Sequence, residues 1–140
     1  MRDIGITGTR QGATAFQAAS LAEVLAYGIR SGAEWFHHGD CVGVDATGAD
    51  IAYQLGYKIH SHPPTEELKW RAWARFDKAS EPKSYAERNR DIVWASDLLI
   101  VVPKTDKEQR GGTWMTFREA QRKGIPIRVI WPLGNIQEIE

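Results

Sequence analysis

One cysteine, Cys41, is all the chain has, which excludes an internal disulfide framework and suits a reducing compartment. No apolar run approaches the ~20 residues of a membrane span. The amino terminus also lacks the pattern of a secretion signal, so a cytoplasmic location is the expectation. Charge of one sign is missing too: Lys plus Arg and Asp plus Glu each number 18, for a formal net charge of zero. Strong non-specific nucleic-acid binding therefore has no large positive field behind it and would need a local patch. Repeats, low-complexity tracts and linkers are absent. What remains is 140 residues, 42% hydrophobic and 26% charged, the composition of one globular domain with a core of its own.

Two turns carry the chemistry. Thr7-Gly8-Thr9-Arg10-Gln11-Gly12 follows the apolar Ile4-Gly5-Ile6 and precedes a helical pattern in which Leu21, Val24, Leu25, Gly28 and Ile29 recur, from about Thr14 to Arg30. Strand, glycine turn and helix in that order make the phosphate-binding unit of doubly wound folds. The glycines of such a turn also serve simply to reverse the chain, but Arg10 beside them suits an anion better than a core. The second turn, Gly111-Gly112-Thr113, follows the short β-branched run Leu98 to Val102 and opens another helix. Free N–H groups and the dipole at a helix start favour a phosphate or other anion.

Between the turns, strands are expected at Glu34 to His38 and Lys58 to His62, with a helix from about Asp45 to Leu55 ended by Gly56. Thr65 with Glu66 and Glu67 reads as a helix start, and the aromatic Lys69 to Lys78 as helical. Ser84 and Glu87 fit a capping box, which begins a helix whose Arg88 and Asn89 lie where core gives way to cleft. A helix from Thr113 to Lys123 and a strand from Pro126 to Trp131 complete the pattern. Strands alternating with helices predict an α/β fold, a Rossmann-like doubly wound parallel sheet of about five strands with helices on both faces. Ligands of such sheets bind beyond the strand carboxyl ends, where strand order reverses.

These pieces in this order resemble the SLOG superfamily, the Rossmann-like group that includes the Lonely Guy phosphoribohydrolases and the DNA-processing protein A family. The stretch HGDCVGVDATGAD from His38 to Asp50 is similar to the second, glycine-containing loop of that group. Lys69 to Trp73, Glu87 to Arg90, Asp97 to Pro103 and Gly111 to Trp114 resemble its YspA-like branch. The resemblance covers most of the chain, so residues 1–140 read as a single SLOG-like nucleotide-binding domain. It implies a nucleotide-type small molecule as partner and a homodimer or higher homo-oligomer. The arginine of the Lonely Guy pattern falls on Arg88, nine positions before Asp97. The glutamate those hydrolases use falls on Thr116, which cannot act as a carboxylate base; Glu119, three residues on, is the nearest substitute.

The candidate ligand-binding residues are therefore Gly8, Thr9, Arg10, Asp40, Asp45, Arg88, Asn89, Gly111, Gly112, Thr113 and Thr116. Arg10, Arg88 and Arg90 are the candidate phosphate clamp. Asp45 and Glu119 are the candidate catalytic carboxylates; helix capping is the plainer role for Asp45. His37, His38, Asp40, Cys41, His60 and His62 raise the question of zinc, but their spacing matches no closed structural zinc pattern. They read as ordinary strand-end residues, and neither a metal nor a cofactor is expected. Trp70, Trp73 and Phe76, interleaved with Lys69, Arg71 and Arg75, read better as a packing surface, one tryptophan roofing a base, than as a single-strand DNA clamp. Binding of a nucleotide-derived ligand, in a sensing, sequestering or carrier role, is the leading function. Nucleoside monophosphate N-glycoside hydrolysis comes second and single-stranded DNA binding third.

Overall fold

A computed structural model of the chain describes residues 1–107 and 110–140. The strands are β1 (Asp3–Gly8), β2 (Trp35–His38), β3 (Lys58–Ser61), β4 (Lys78–Ala79), β5 (Leu98–Val102), β6 (Ile127–Ile130) and β7 (Ile136–Ile139). The helices are α1 (Ala15–Arg30), α2 (Val44–Leu55), α3 (Tyr85–Ala95) and α4 (Gly112–Lys123). One sheet of order β4-β3-β2-β1-β5-β6-β7 results, and strand order reverses between β1 and β5. Every pairing is parallel except β6 with β7.

Alternation along the strands divides the core. Ile4, Ile6, Phe36, Ile59, Leu98, Ile100 and Val102 bury against Leu21 and Leu25 of α1 and Val44, Ala49 and Ala52 of α2. Leu99, Val101, Ile127 and Val129 bury on the opposite face against Ile92 and Val93 of α3 and Trp114 and Ala120 of α4. β5 is buried at all five residues, as a central parallel strand covered on both faces must be.

Helix ends follow local chemistry. Thr14 caps α1 by accepting from the Gln17 N–H while Gln17 Oε1 accepts from the Thr14 N–H at 2.9 Å. Gly56 and Gly124 end α2 and α4 in the left-handed conformation. Ser84 Oγ accepts from the Glu87 N–H, but the Glu87 carboxylate takes the Ser84 hydroxyl rather than the backbone N–H of the full box.

Two expectations are corrected. The sheet has seven strands rather than about five, because short β4 and the exposed hairpin strand β7 lengthen its edges. Residues 65 to 78 form no α-helix; only Leu68–Trp70 makes a 3₁₀ turn, between Glu67 and Trp73, both at positive φ. The aromatic spacing in that stretch looks helical, but the segment is held by long-range bonds: Asp40 to Arg71 and Ala74, and Trp70 O to the Val42 N–H.

One buried side chain fixes the rim of the sheet where the site lies. Gln17 is 1% exposed, and its Nε2 donates to Pro103 O at 2.8 Å and Ile130 O at 3.0 Å, the ends of β5 and β6. Gln17→Met keeps the volume and strands both carbonyls, which is expected to cost about 2–4 kcal/mol. A urea midpoint lowered at unchanged slope is the measurement that checks it.

Candidate functional site

A cavity of about 630 Å³ opens where strand order reverses, against the carboxyl ends of β1 and β5. Gly8, Thr9, Arg10, Asp45, Arg88, Asn89, Gly111, Gly112 and Thr113 all line it, so the two glycine turns meet across one space. The Thr9 N–H donates to Val102 O at 3.1 Å and the Val44 N–H to Thr9 O at 3.1 Å, which locks the first turn to β5 and to the start of α2. Among the described residues, no side chain caps α2 or α4. The positive ends of two helices are thus presented at the cavity wall. Gly111 stands at φ 91°, where a side chain would be strained, and neither it nor Gly112 has a described neighbour within 4 Å of a would-be Cβ.

Arg88 lies at the cavity floor, only 8% exposed. Nη1 donates to Gly39 O at 2.5 Å and His62 O at 3.3 Å, and Nε donates to Asn89 Oδ1 at 2.7 Å. Gly39 makes this possible, since a Cβ there would collide with Arg88 Nη1. Asp45 Oδ2 accepts from the N–H groups of Gly39 at 3.1 Å and Cys41 at 3.3 Å, so this carboxylate ties down the preceding loop instead of capping its helix. Burial raises its pKa to about 6, against the opposing pull of Arg88 and the two backbone donors. Burial also pushes the Cys41 thiol up, away from the thiolate.

Charge gathers here although the chain is neutral overall. Arg10, Arg88, Lys104 and Arg110 line the cavity against the carboxylates Asp45 and Glu67. Arg10 pairs with Glu67 at 3.6 Å and stands 5.0 Å from the centre of the Trp70 ring. Trp70 and Tyr85 supply the aromatic wall, and Arg88 lies 5.3 Å from the Tyr85 ring centre.

Four sequence candidates lie elsewhere, among them Arg90 of the expected phosphate clamp, which lines a separate groove. Asp40 is 1% exposed, and its carboxylate is spent on Arg71, at 2.8 and 2.9 Å, and on the Ala74 N–H. Its φ of 55° turns the chain so that the side chain braces the Trp70 segment from outside the cavity. Thr116 is fully buried and its hydroxyl donates to Gly112 O at 2.9 Å, folded back on its own helix. Glu119 lines a separate groove with Arg90 and Arg122, and donors from Arg122 and Trp94 hold its carboxyl below the usual range. Gly8 borders the cavity, yet its missing Cβ makes room for the Val44 side chain rather than for a ligand.

Tyr85, Lys104, Arg110, Glu67 and Gly39 join the lining without having been site candidates in the sequence. Lys104 is the most legible of these, since it follows Pro103 directly at the end of β5. Glu67 and Trp70 arrive through the irregular segment, whose path depends on Asp40.

Solved structures share this arrangement of strands and helices. The molybdenum cofactor binding protein of the phototrophic bacterium Rippkaea orientalis superimposes with a TM-score of 0.68 at 20% identity, over 91% of this chain and 75% of that one. The molybdenum cofactor carrier protein of Chlamydomonas reinhardtii gives 0.65 at 17%, over 91% and 75%. DNA processing protein A of Streptococcus pneumoniae gives 0.67 at 18%, over 92% of this chain and 50% of that one. This chain has the SLOG-type fold. No protein-family model matches the sequence, and no curated protein matches it significantly. In the SLOG-type frame the cavity occupies the switch point at which open α/β sheets place their ligands.

The raised pKa of Asp45 makes a prediction with a definite sign. A carboxyl that binds its proton more tightly when folded adds stability below its unfolded pKa, near 3.8, and loses it as pH rises through about 6. The stability of wild type minus that of Asp45→Asn is therefore expected to fall by roughly 3 kcal/mol between about pH 4 and pH 6. Taking the difference removes the opposite trend from His38 and His60, which burial lowers to about 4. Chemical denaturation of both proteins across that range measures it.

Proposed function

We propose that this chain binds a phosphate-bearing, nucleotide-derived small molecule in the cavity between β1 and β5 and holds it without cleaving it. The observation that carries this reading is the concentration of four cations and, among the described residues, two helix starts without a side-chain cap at one cavity of a neutral chain. Phosphate sits between Arg10 and the Gly111 to Thr113 helix start, where backbone N–H groups and dipole favour it. Arg88, already engaged by Gly39 O and Asn89, sets the floor and neutralises Asp45 beside the ligand. Trp70 and Tyr85 offer ring faces to a base. A volume of about 630 Å³ suits a small molecule of this class. That two structural neighbours bind or carry a cofactor supports a carrier role. A homodimer or larger homo-oligomer, implied by the SLOG resemblance, belongs to the same proposal.

N-glycoside hydrolysis stays as the second reading because of one group. Asp45, with a pKa raised to about 6, borders the cavity, and a carboxyl poised near neutrality is what a general base requires. Against it stand Thr116 and Glu119, neither of which reaches the cavity. The DNA reading would use Trp73 and Phe76, 70% and 55% exposed but outside the cavity.

Thermal shift against nucleoside monophosphates, dinucleotides and cyclic nucleotides is expected to give at least one hit, worth about 2.7 kcal/mol at one hundred times the dissociation constant. Arg10→Ala is expected to weaken that hit by roughly 1.5–3 kcal/mol without loss of stability, since its side chain is 37% exposed. Arg88→Ala is expected to lose both affinity and stability, because it leaves Gly39 O and His62 O without their donor. Calorimetric titration and unfolding of the two variants separate these effects. A flat panel with no co-purified ligand would refute the binding reading. Release of free base by wild type but not by Asp45→Asn would replace it with the hydrolase.

A further inference from the structure

Three imidazoles converge on the face of the sheet opposite α1 and α2, away from the cavity. His37 of β2 stands in register with His60 of β3, and His62 follows two residues later on the same side. The ring centres of His37 are 5.0 Å from His60 and 5.2 Å from His62, while His60 and His62 stack at 4.0 Å. One ring nitrogen from each lies within 4.8 Å of the others. His37 and His62 are each only 4% exposed.

Hydrogen bonding leaves this cluster incomplete. His37 Nε2 lies 2.8 Å from Asp3 Oδ1, and a carboxylate only accepts, so Nε2 carries the hydrogen and Nδ1 is a bare lone pair. That lone pair stands 2.9 Å from His62 Nε2. Nε2 of His62 must then donate, which leaves His62 Nδ1 as a second lone pair, buried and without any donor among the described residues. A buried acceptor without a partner costs free energy. Burial disfavours the charged form of each ring.

We propose that His37, His60 and His62 form a binding site for a zinc-class divalent transition-metal ion, each giving one ring nitrogen, with Asp3 as the outer carboxylate. Neutral imidazole is the ligating form and suits zinc, copper and nickel among such ions. Two nitrogens on one tetrahedral ion stand roughly 3.3 Å apart, so a cluster whose nitrogens already lie within 4.8 Å of one another needs only a modest contraction to close. Asp3 on the far nitrogen of His37 is the carboxylate–histidine pair that fixes ring tautomer and orientation at metal centres. Ser80 Oγ, 2.7 Å from His60 Nε2, plays the corresponding part for the second ring. Lys78, and Arg88 on the His62 side, oppose an ion here, while Asp3 and Asp97 act on His37 with the opposite sign. The metal ties β2 to β3 within the sheet; three protein nitrogens leave a tetrahedral ion one position for water. The ligands come from neighbouring strands in register, which is why their sequence spacing matches no zinc pattern.

The test uses the full chain stripped of metal by a chelator and titrated with zinc. Equilibrium dialysis with metal analysis is expected to find one zinc per chain, and saturating zinc to raise the melting temperature by roughly 5 °C or more. His60→Gln and His62→Gln are expected to weaken binding at least tenfold, and Asp3→Asn by about 10- to 100-fold. Cys41→Ser, which alters the cavity instead, is expected to bind as wild type does. Cobalt added in place of zinc is expected to show visible bands that His60→Gln loses. Absence of stoichiometric zinc, or binding unchanged in His60→Gln, overturns the site, as does loss of binding in Cys41→Ser. His60 is only half-buried, so its variant tests the site even if His62→Gln fails to fold.

Discussion

A guanidinium taken out of water must find acceptors, and the way Arg88 finds them organises the carboxyl edge of this sheet. Its Nη1 reaches the carbonyls of Gly39 and His62, which follow β2 and β3. Two adjacent strand ends are thereby tied to the first turn of α3. The positive charge in turn makes it possible to bury Asp45, whose carboxylate accepts from Gly39 and Cys41 and shapes the loop that opens α2. Only glycine at position 39 leaves room for this contact. The floor of the cavity is thus one electrostatic unit, and its parts are not separately replaceable.

That unit also bears on what the cavity does. The hydrolytic route implied by the Lonely Guy resemblance needs a carboxylate on the helix after the second glycine turn, and here that helix offers a buried threonine bonded to itself and a glutamate facing another groove. Of the two carboxylates that line the cavity, Glu67 is paired with Arg10, and Asp45 already holds two backbone donors and lies beside a buried cation. Moving its proton changes the loop as well as the chemistry. That the candidate base is also a structural brace supports the proposed holding of a charged ligand over proton cycling.

How much of this was legible in the sequence depends on the range of the interactions involved. Glycine turns, helix stops at Gly56 and Gly124, and the buried run of β5 rest on neighbours in the chain, and they fell where pattern and propensity placed them. Arg88 and Asp45 were legible as site candidates because each stands at the start of a helix that follows a strand. Asp40 looked equivalent to Asp45, yet its positive φ points it at Arg71 and Ala74, residues more than thirty positions away. No local rule reveals that. The aromatic stretch around Trp70 and Trp73 failed for the same reason: its spacing suited a helix, while its backbone is committed to Asp40 and Val42. Exposed β7 carries too little apolar alternation to announce itself.

The histidines extend the point from fold to chemistry. In the sequence they are scattered strand-end residues, and only the register of β2 on β3 brings His37 beside His60. That register is set by unrelated demands, since Phe36 and Ile59, one residue earlier on each strand, must bury together on the opposite face. Once those two side chains are fixed in the core, period two sends His37, His60 and His62 to the other side. His62 then links the two regions: its ring belongs to the histidine cluster, its N–H donates to His38 O, and its carbonyl accepts from Arg88. Whatever holds the His62 ring in place also fixes the position of that carbonyl, so the order of the sheet edge and the placement of the buried guanidinium are coupled through a single residue.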